Sequence, residues 1–179
     1  MVLQGLFRNP LVDPFIIGVS GGASLGAGIA ILFGINFVFL GISALPIIAF
    51  TVSMLCMLLA YSLSIINKRI YIDRLLLSGV AISSLSSSIL SLFLVLKGQD
   101  ANAVIFWIMG GLSGKTWDTI GIVLPYVIIS NLIIIFNLQK LNILQFGDEE
   151  AENLGININR IKILLIFISC LLSASIVSV

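Results

Sequence analysis

Four carboxylates, Asp148, Glu149, Glu150 and Glu152, lie in the short stretch "GDEEAENLG" bracketed by Gly147 and Gly155. Acids in a first turn suit the positive end of a helix dipole, and Gly155 suits the position just past a helix end. Ala151 and Leu154, three apart, would then share a face. The stretch is either a solvated loop or a short helix that docks in a partner's groove. Enzyme chemistry has little else to draw on, because the chain holds no histidine and two cysteines. Cys56 and Cys170 each sit inside an apolar run, where a free thiol acts as a small packing residue. No CxxC or Cys/His spacing offers a metal site. Neither a catalytic residue nor a metal ligand set is expected.

A second stretch imitates a phosphate-binding loop. "MGGLSGKTW", residues 109 to 117, contains Gly114-Lys115-Thr116, but Met109 stands where the pattern needs its first glycine. No strand leads into it, so an outer loop with a short helix is expected instead. The remaining polar groups are hydroxyls. "SGVAISSLSSSILS", residues 78 to 91, carries Ser78, Ser83, Ser84, Ser86, Ser87, Ser88 and Ser91. Serine can bond back to its own helix or across to a neighbour. So many hydroxyls also suit a water-accessible cavity, with Ser83, Ser84, Ser87 and Ser88 as candidates to line a pathway.

The elements that must position these groups belong in lipid. Hydrophobic residues make up 59% of the 179, charged residues 9%, and the mean hydropathy is +1.21. A soluble domain carries roughly 25% charged residues. The net charge of +1 comes with no basic patch for nucleic acid. A spanning helix needs about 20 apolar residues, which predicts five spans, at 14–35, 44–66, 75–96, 119–138 and 161–179. Helix is required because each segment in lipid must satisfy its own backbone groups. The apolar run at 103–113 is roughly 16 Å long as a helix, half the hydrocarbon thickness. It is expected to be either a short helix at the interface or a re-entrant piece, flanked by Trp107 and Trp117 as suits the headgroup level.

Basic residues test that layout. If the short run does not cross, Arg8, Lys68, Arg69, Arg74, Lys140, Arg160 and Lys162 share one side and Lys97 and Lys115 the other, seven against two. If it crosses, the split is five against four. The positive-inside rule favours the first, with residue 8 and segments 67–74 and 139–160 cytoplasmic and 97–118 outside. In the first span every fourth residue is small: Gly18, Gly22, Gly26, Ala30, Gly34. Positions four apart stack on one face, so this span is expected to carry a packing groove along its length, since close backbone approach drives association in lipid. Pro14 costs no hydrogen bond near a first turn, and Asp13 is placed to cap it.

Gln4, Gly5, Arg8-Asn9-Pro10-Leu11, Asp13-Pro14, Gly18, Ser20 and Gly22-Ala23 resemble the entry to the third helix of the FecCD-type permeases. These are the membrane subunits of ATP-binding-cassette importers for iron-siderophores, haem and cobalamin. The likeness continues through "LSGVA" at 77–81, Trp107, Met109-Gly110, Leu112-Ser113-Gly114, Trp117, Leu124-Pro125, Gly147, Glu149-Glu150-Ala151 and Leu154-Gly155. It implies an all-α polytopic membrane protein with about five transmembrane helices of a ten-helix permease fold. Residues 1–179 would be a partial permease domain, from the end of helix two through helix seven, in the bacterial plasma (inner) membrane.

The resemblance also implies partners. Two permease copies would form a homodimer in the lipid with the pathway at their interface, lined by the serine-rich span. Separate cytoplasmic ATPase subunits would bind and hydrolyse ATP, so this chain would hold no cofactor and be no enzyme. An extracytoplasmic binding protein would deliver and choose the cargo, an iron-siderophore, haem, cobalamin or related metal chelate. Gly147, Asp148, Glu149, Glu150, Ala151, Leu154 and Gly155 would form the coupling segment at 147–155, presenting Ala151 and Leu154 to the ATPase. The alternative is an ion-coupled secondary transporter, but such proteins carry ionisable residues inside their spans, and these five have none in their cores.

Overall fold

Gly18 breaks the first predicted span in two. Pro14–Ile17 forms a 3-10 turn, Gly18 takes a left-handed φ of 98°, and the helix proper runs over Val19–Leu32. Asp13 caps the turn, its Oδ1 accepting from the Phe15 N–H at 2.9 Å, a contact worth about 1 kcal/mol. The far end closes at Gly34, whose φ is 60°. There the Gly34 N–H bonds the Ile31 carbonyl at 3.1 Å and the Ile35 N–H bonds the Ala30 carbonyl at 2.9 Å. This is the paired arrangement by which a left-handed glycine ends a helix. The single helix expected over 14–35 is therefore a 14-residue helix with shaped ends, roughly 21 Å long.

The computed structural model describes residues 1–10, 12–39, 42–66, 69–97, 101–111 and 117–178, with backbone alone at Arg69 and Asp118. In chain order the helices are α1 (Val2–Phe7), α2 (Val19–Leu32), α3 (Ala44–Ser64), α4 (Ile72–Lys97), α5 (Ala101–Met109), α6 (Trp117–Phe136), α7 (Leu138–Phe146), α8 (Asp148–Asn153) and α9 (Ile158–Val177). Among the described residues α3, α4, α9 and Thr119–Phe136 of α6 are long and apolar enough to cross a membrane, and α2 is shorter. Two small antiparallel ladders were not expected. Val38–Phe39 pairs with Ile42–Ser43 between α2 and α3, and Ile65–Ile66 pairs with Arg69–Ile70 between α3 and α4. Each turns the chain back, so consecutive helices lie antiparallel.

α2 is the hub of the packing. A Cβ on Gly22 would lie 2.8 Å from the Ser53 Cα and 2.9 Å from the Cys56 Cβ of α3. One on Gly26 would lie 2.8 Å from both the Ala49 Cα and the Ile48 carbonyl oxygen. Gly21 approaches α4 in the same way, 3.0 Å from the Ser83 Cα. Close approach also lets the buried Ser53 Oγ donate to the Val19 carbonyl at 2.8 Å. The packing ridge thus consists of Gly22 and Gly26, with Ala30 also buried. Gly34 does not extend it: past the helix end, its added Cβ would meet nothing within 4 Å. Gly18 serves as the break, with only ordinary contact to Ile82 and Cys56.

α5 is a nine-residue helix, roughly 14 Å and too short to cross. It seats Val104 with Leu25, Leu32 and Leu90 in a small cluster. The larger core lies at the opposite end of α2, where α1, α7, α8 and the start of α9 converge on Leu6, Leu75, Leu144, Ala151, Ile161 and Leu165. Cys56 and Cys170 are both free and buried.

Candidate functional site

The acidic stretch is a helix with glycine at each end. Gly147 precedes α8 with φ 151° and ψ 155°, and a side chain there would run into the Glu150 carboxylate. Gly155 follows it with φ 76°. The Gly155 N–H bonds the Glu152 carbonyl at 2.9 Å and the Ile156 N–H bonds the Ala151 carbonyl at 3.0 Å, the same paired terminator that ends α2. Asp148, Glu149 and Glu150 occupy the first turn, where the dipole favours them.

The faces of α8 differ from expectation. Ala151 is 0% exposed and belongs to the large core, whereas Leu154 is 67% exposed. The two residues do not form one outward surface. The helix ends at Asn153, so Leu154 leaves it as the cap while the Ala151 methyl points inward. Glu149, Glu150, Glu152, Asn153 and Leu154 are exposed, as is Gly155. Ala151 holds the helix from behind.

Asp148 faces the bundle. Its Oδ2 accepts from the Lys162 Nζ at 2.6 Å, and its Oδ1 lies 3.4 Å from the Arg8 Nη2. The Lys162 side chain is 7% exposed and that of Asp148 51%. Arg8 closes α1 in a left-handed conformation, φ 50°, although it carries a side chain. From there its Nε and Nη2 donate to the Leu144 carbonyl in the last turn of α7, at 3.2 and 2.7 Å. Such a conformation costs an L-residue roughly 1–2 kcal/mol, offset here by the fork of hydrogen bonds. The Gln4 Nε2 donates to the Pro10 carbonyl at 2.8 Å and steadies the same loop.

Sequence reasoning counted Arg8 and Lys162 as charges and missed them as partners of Asp148. A signal was present, since Lys162 is the one charged residue within the predicted span 161–179, and such a group needs a partner. Arg8, Asp148 and Lys162 meet at one end of the bundle. Lys97 stands at the other, 4.5 Å over the Phe33 ring at the end of α2. Lys68 and the Gly114-Lys115-Thr116 run lie outside the described residues. Among the described residues no group of three or more His, Cys, Asp or Glu side chains could hold a metal ion.

The serines of α4 separate by face. Ser84, Ser87, Ser88 and Ser91 are exposed at helical spacing along one side, with the Ser88 Oγ donating to the Ser84 carbonyl at 2.9 Å. Ser83 is turned away from them. It packs against Gly21 of α2, and its hydroxyl is buried without a partner among the described residues. The close α2–α4 approach, which needs a small residue opposite Gly21, removes Ser83 from the exposed set.

Apolar spanning helices with one braced acidic helix at the basic end define a polytopic membrane domain. The FecCD transport family model matches residues 1–179, and the chain belongs to that family. It is 34% identical over 177 residues to the cobalamin import system permease protein BtuC of Halobacterium salinarum, covering 99% of this chain and 47% of that protein. It is 33% identical to the Fe(3+)-citrate import system permease protein YfmE of Bacillus subtilis, with 99% and 52% covered. It is 31% identical to the hemin transport system permease protein HmuU of Yersinia pestis, with 99% and 54% covered. A solved structure, described as an inward-facing conformation of a metal-chelate type ABC transporter, superposes with a TM-score of 0.87 at 30% identity, over 99% of this chain and 55% of that one. The chain spans about half the length of the curated relatives it matches. It is a multi-pass protein of the plasma (inner) membrane.

Proposed function

We propose that the chain is permease sequence of an ATP-binding-cassette importer for a metal chelate of the iron-siderophore, haem or cobalamin class. Family membership supports the transport role, and the braced α8 with its exposed outer side carries the mechanism. Two permease copies pair as a homodimer, and the exposed Ser84, Ser87 and Ser88 of α4 line the pathway between them. Separate ATPase subunits seat the outer side of α8, bind ATP and hydrolyse it, while this chain holds no cofactor. An extracytoplasmic binding protein delivers the cargo and selects it.

The test is contact and consequence at one residue. In the complete permease, a cysteine replacing Leu154, in a background without Cys56 and Cys170, crosslinks to the ATPase. Leu154→Arg abolishes stimulated ATP hydrolysis while membrane insertion stays normal, since this side chain is already two-thirds exposed. Absence of the crosslink together with normal activity of Leu154→Arg would overturn the docking role. Glu150→Gln does less, because an exposed ion pair contributes about 0–1 kcal/mol.

A further inference from the structure

The coupling reading leaves open how a six-residue helix can carry force. Isolated helices this short do not hold together in water, so the orientation of α8 comes from what braces it. Two braces exist. The fully buried Ala151 fixes the inner face sterically, and Asp148 fixes the first turn by charge.

Both carboxylate oxygens of Asp148 are used, one by each cation. Lys162 lies one turn into α9, a spanning helix. Arg8 reaches the end of α7 through Leu144 and, through the chain from Asn9 to Asp13, leads into the 3-10 turn and α2. The left-handed backbone at Arg8 points the same way, because glycine would fit that position with less strain. What arginine adds there is the guanidinium fork.

We propose that Asp148 is a positioning residue that locks α8 to α9 through Lys162 and to the α7–α1 corner through Arg8, so that movement of α8 is delivered to the spanning helix α9 and to the entry of α2. The proposal rests on the coupling reading. If α8 moves with an ATPase, Asp148 makes its first turn rigid with the start of α9, while the Arg8 fork draws the entry of α2 along. Without the carboxylate, Ala151 still keeps α8 folded against the core, but α8 can pivot about that one contact.

The experiment uses the complete permease assembled with its ATPase in lipid, with spin labels at exposed Met109 of α5 and Ile176 at the far end of α9. The distance between the labels is measured without nucleotide and after trapping with ATP and vanadate. The double variant Asp148→Asn/Lys162→Met removes the pair without leaving a buried charge, an exchange that is often neutral for folding. In the parent, trapping shifts the distance. In the double variant the shift is lost although ATP hydrolysis and the residue-154 crosslink persist, and Asp148→Glu alone retains it. A merely structural role would lower assembly without abolishing the shift in the complexes that form, so a persisting shift overturns the proposal. Arg8→Lys, at a half-exposed position, keeps the charge and loses the fork, and gives partial loss of the shift. An unchanged shift in that variant also counts against the lock, even should the double variant fail to assemble. If the parent gives neither crosslink nor shift, the coupling reading itself fails, a result distinct from a parent that couples and a variant that still does.

Discussion

α6 and α9 are alike in composition and opposite in packing. Their apolar stretches have 18 and 20 residues with mean hydropathy 2.3 and 2.1. Yet half of the α9 window is buried and only 6% of the α6 window. Hydrophobicity is nearly equal, so it cannot be the cause, and lipid tails solvate leucine and isoleucine as well as a neighbouring helix does. Side-chain size separates them. The buried face of α9 sets Ser169, Cys170, Ala174 and Ser175 among Ile161, Leu165, Ile166 and Ile168. α6 presents isoleucine, leucine and tyrosine around Pro125, with Ser130 as its buried small residue. In this chain, small side chains let helices come close, and large ones pack around them.

The largest test of that rule lies in α2. Gly26→Leu would push a side chain into the Ala49 backbone, which a Cβ alone would already approach to 2.8 Å. Overpacking costs typically about 1–3 kcal/mol, and a backbone that must retreat puts this case at the upper end. In the complete permease, thermal unfolding in detergent should show a large fall in Tm or a collapse in folded yield. An unchanged Tm would mean that α2 and α3 do not touch there.

Next comes Ala174→Leu on α9, at a fully buried position. The expected cost is about 1–2 kcal/mol, in the lower part of the same range. The paired control is Ile128→Leu on the exposed side of α6, which should leave Tm unaltered. Equal effects in the two helices would remove the distinction between them.

Much of this was legible beforehand. Spans show in sequence because lipid demands about 20 apolar residues in a row, and Gly22 and Gly26 stand out because small residues recur at the helical period. The break at Gly18 was less visible, since glycine reads the same whether it packs or turns left-handed. Gly34 misled for that reason: the spacing of four continued while the helix did not. The inward turn of Ala151 was hidden because faces on a six-residue helix depend on where it ends. The Arg8–Asp148–Lys162 lock joins residues 140 positions apart at one end and 14 at the other. No local pattern encodes such a meeting, though the lone ammonium in an apolar span hints at it.

The smallest expected effect sharpens the comparison most. Ile129 on α6 is 57% exposed, and Ile129→Ala removes side-chain volume without opening a cavity inside this chain. If lipid covers that face in the assembled permease, stability should change by no more than about 0.5 kcal/mol, as for exposed sites generally. A protein surface lying over α6 would give a different answer, because truncating a buried isoleucine to alanine costs about 2–5 kcal/mol. The measurement is Tm of the purified permease in detergent, repeated in lipid, against the Ala174→Leu variant as a scale. A small change in both media assigns the exposed face of α6 to lipid. A fall as large as that of Ala174→Leu would mean that protein covers this face of α6 without small side chains to admit it, and the contrast drawn with α9 would fail.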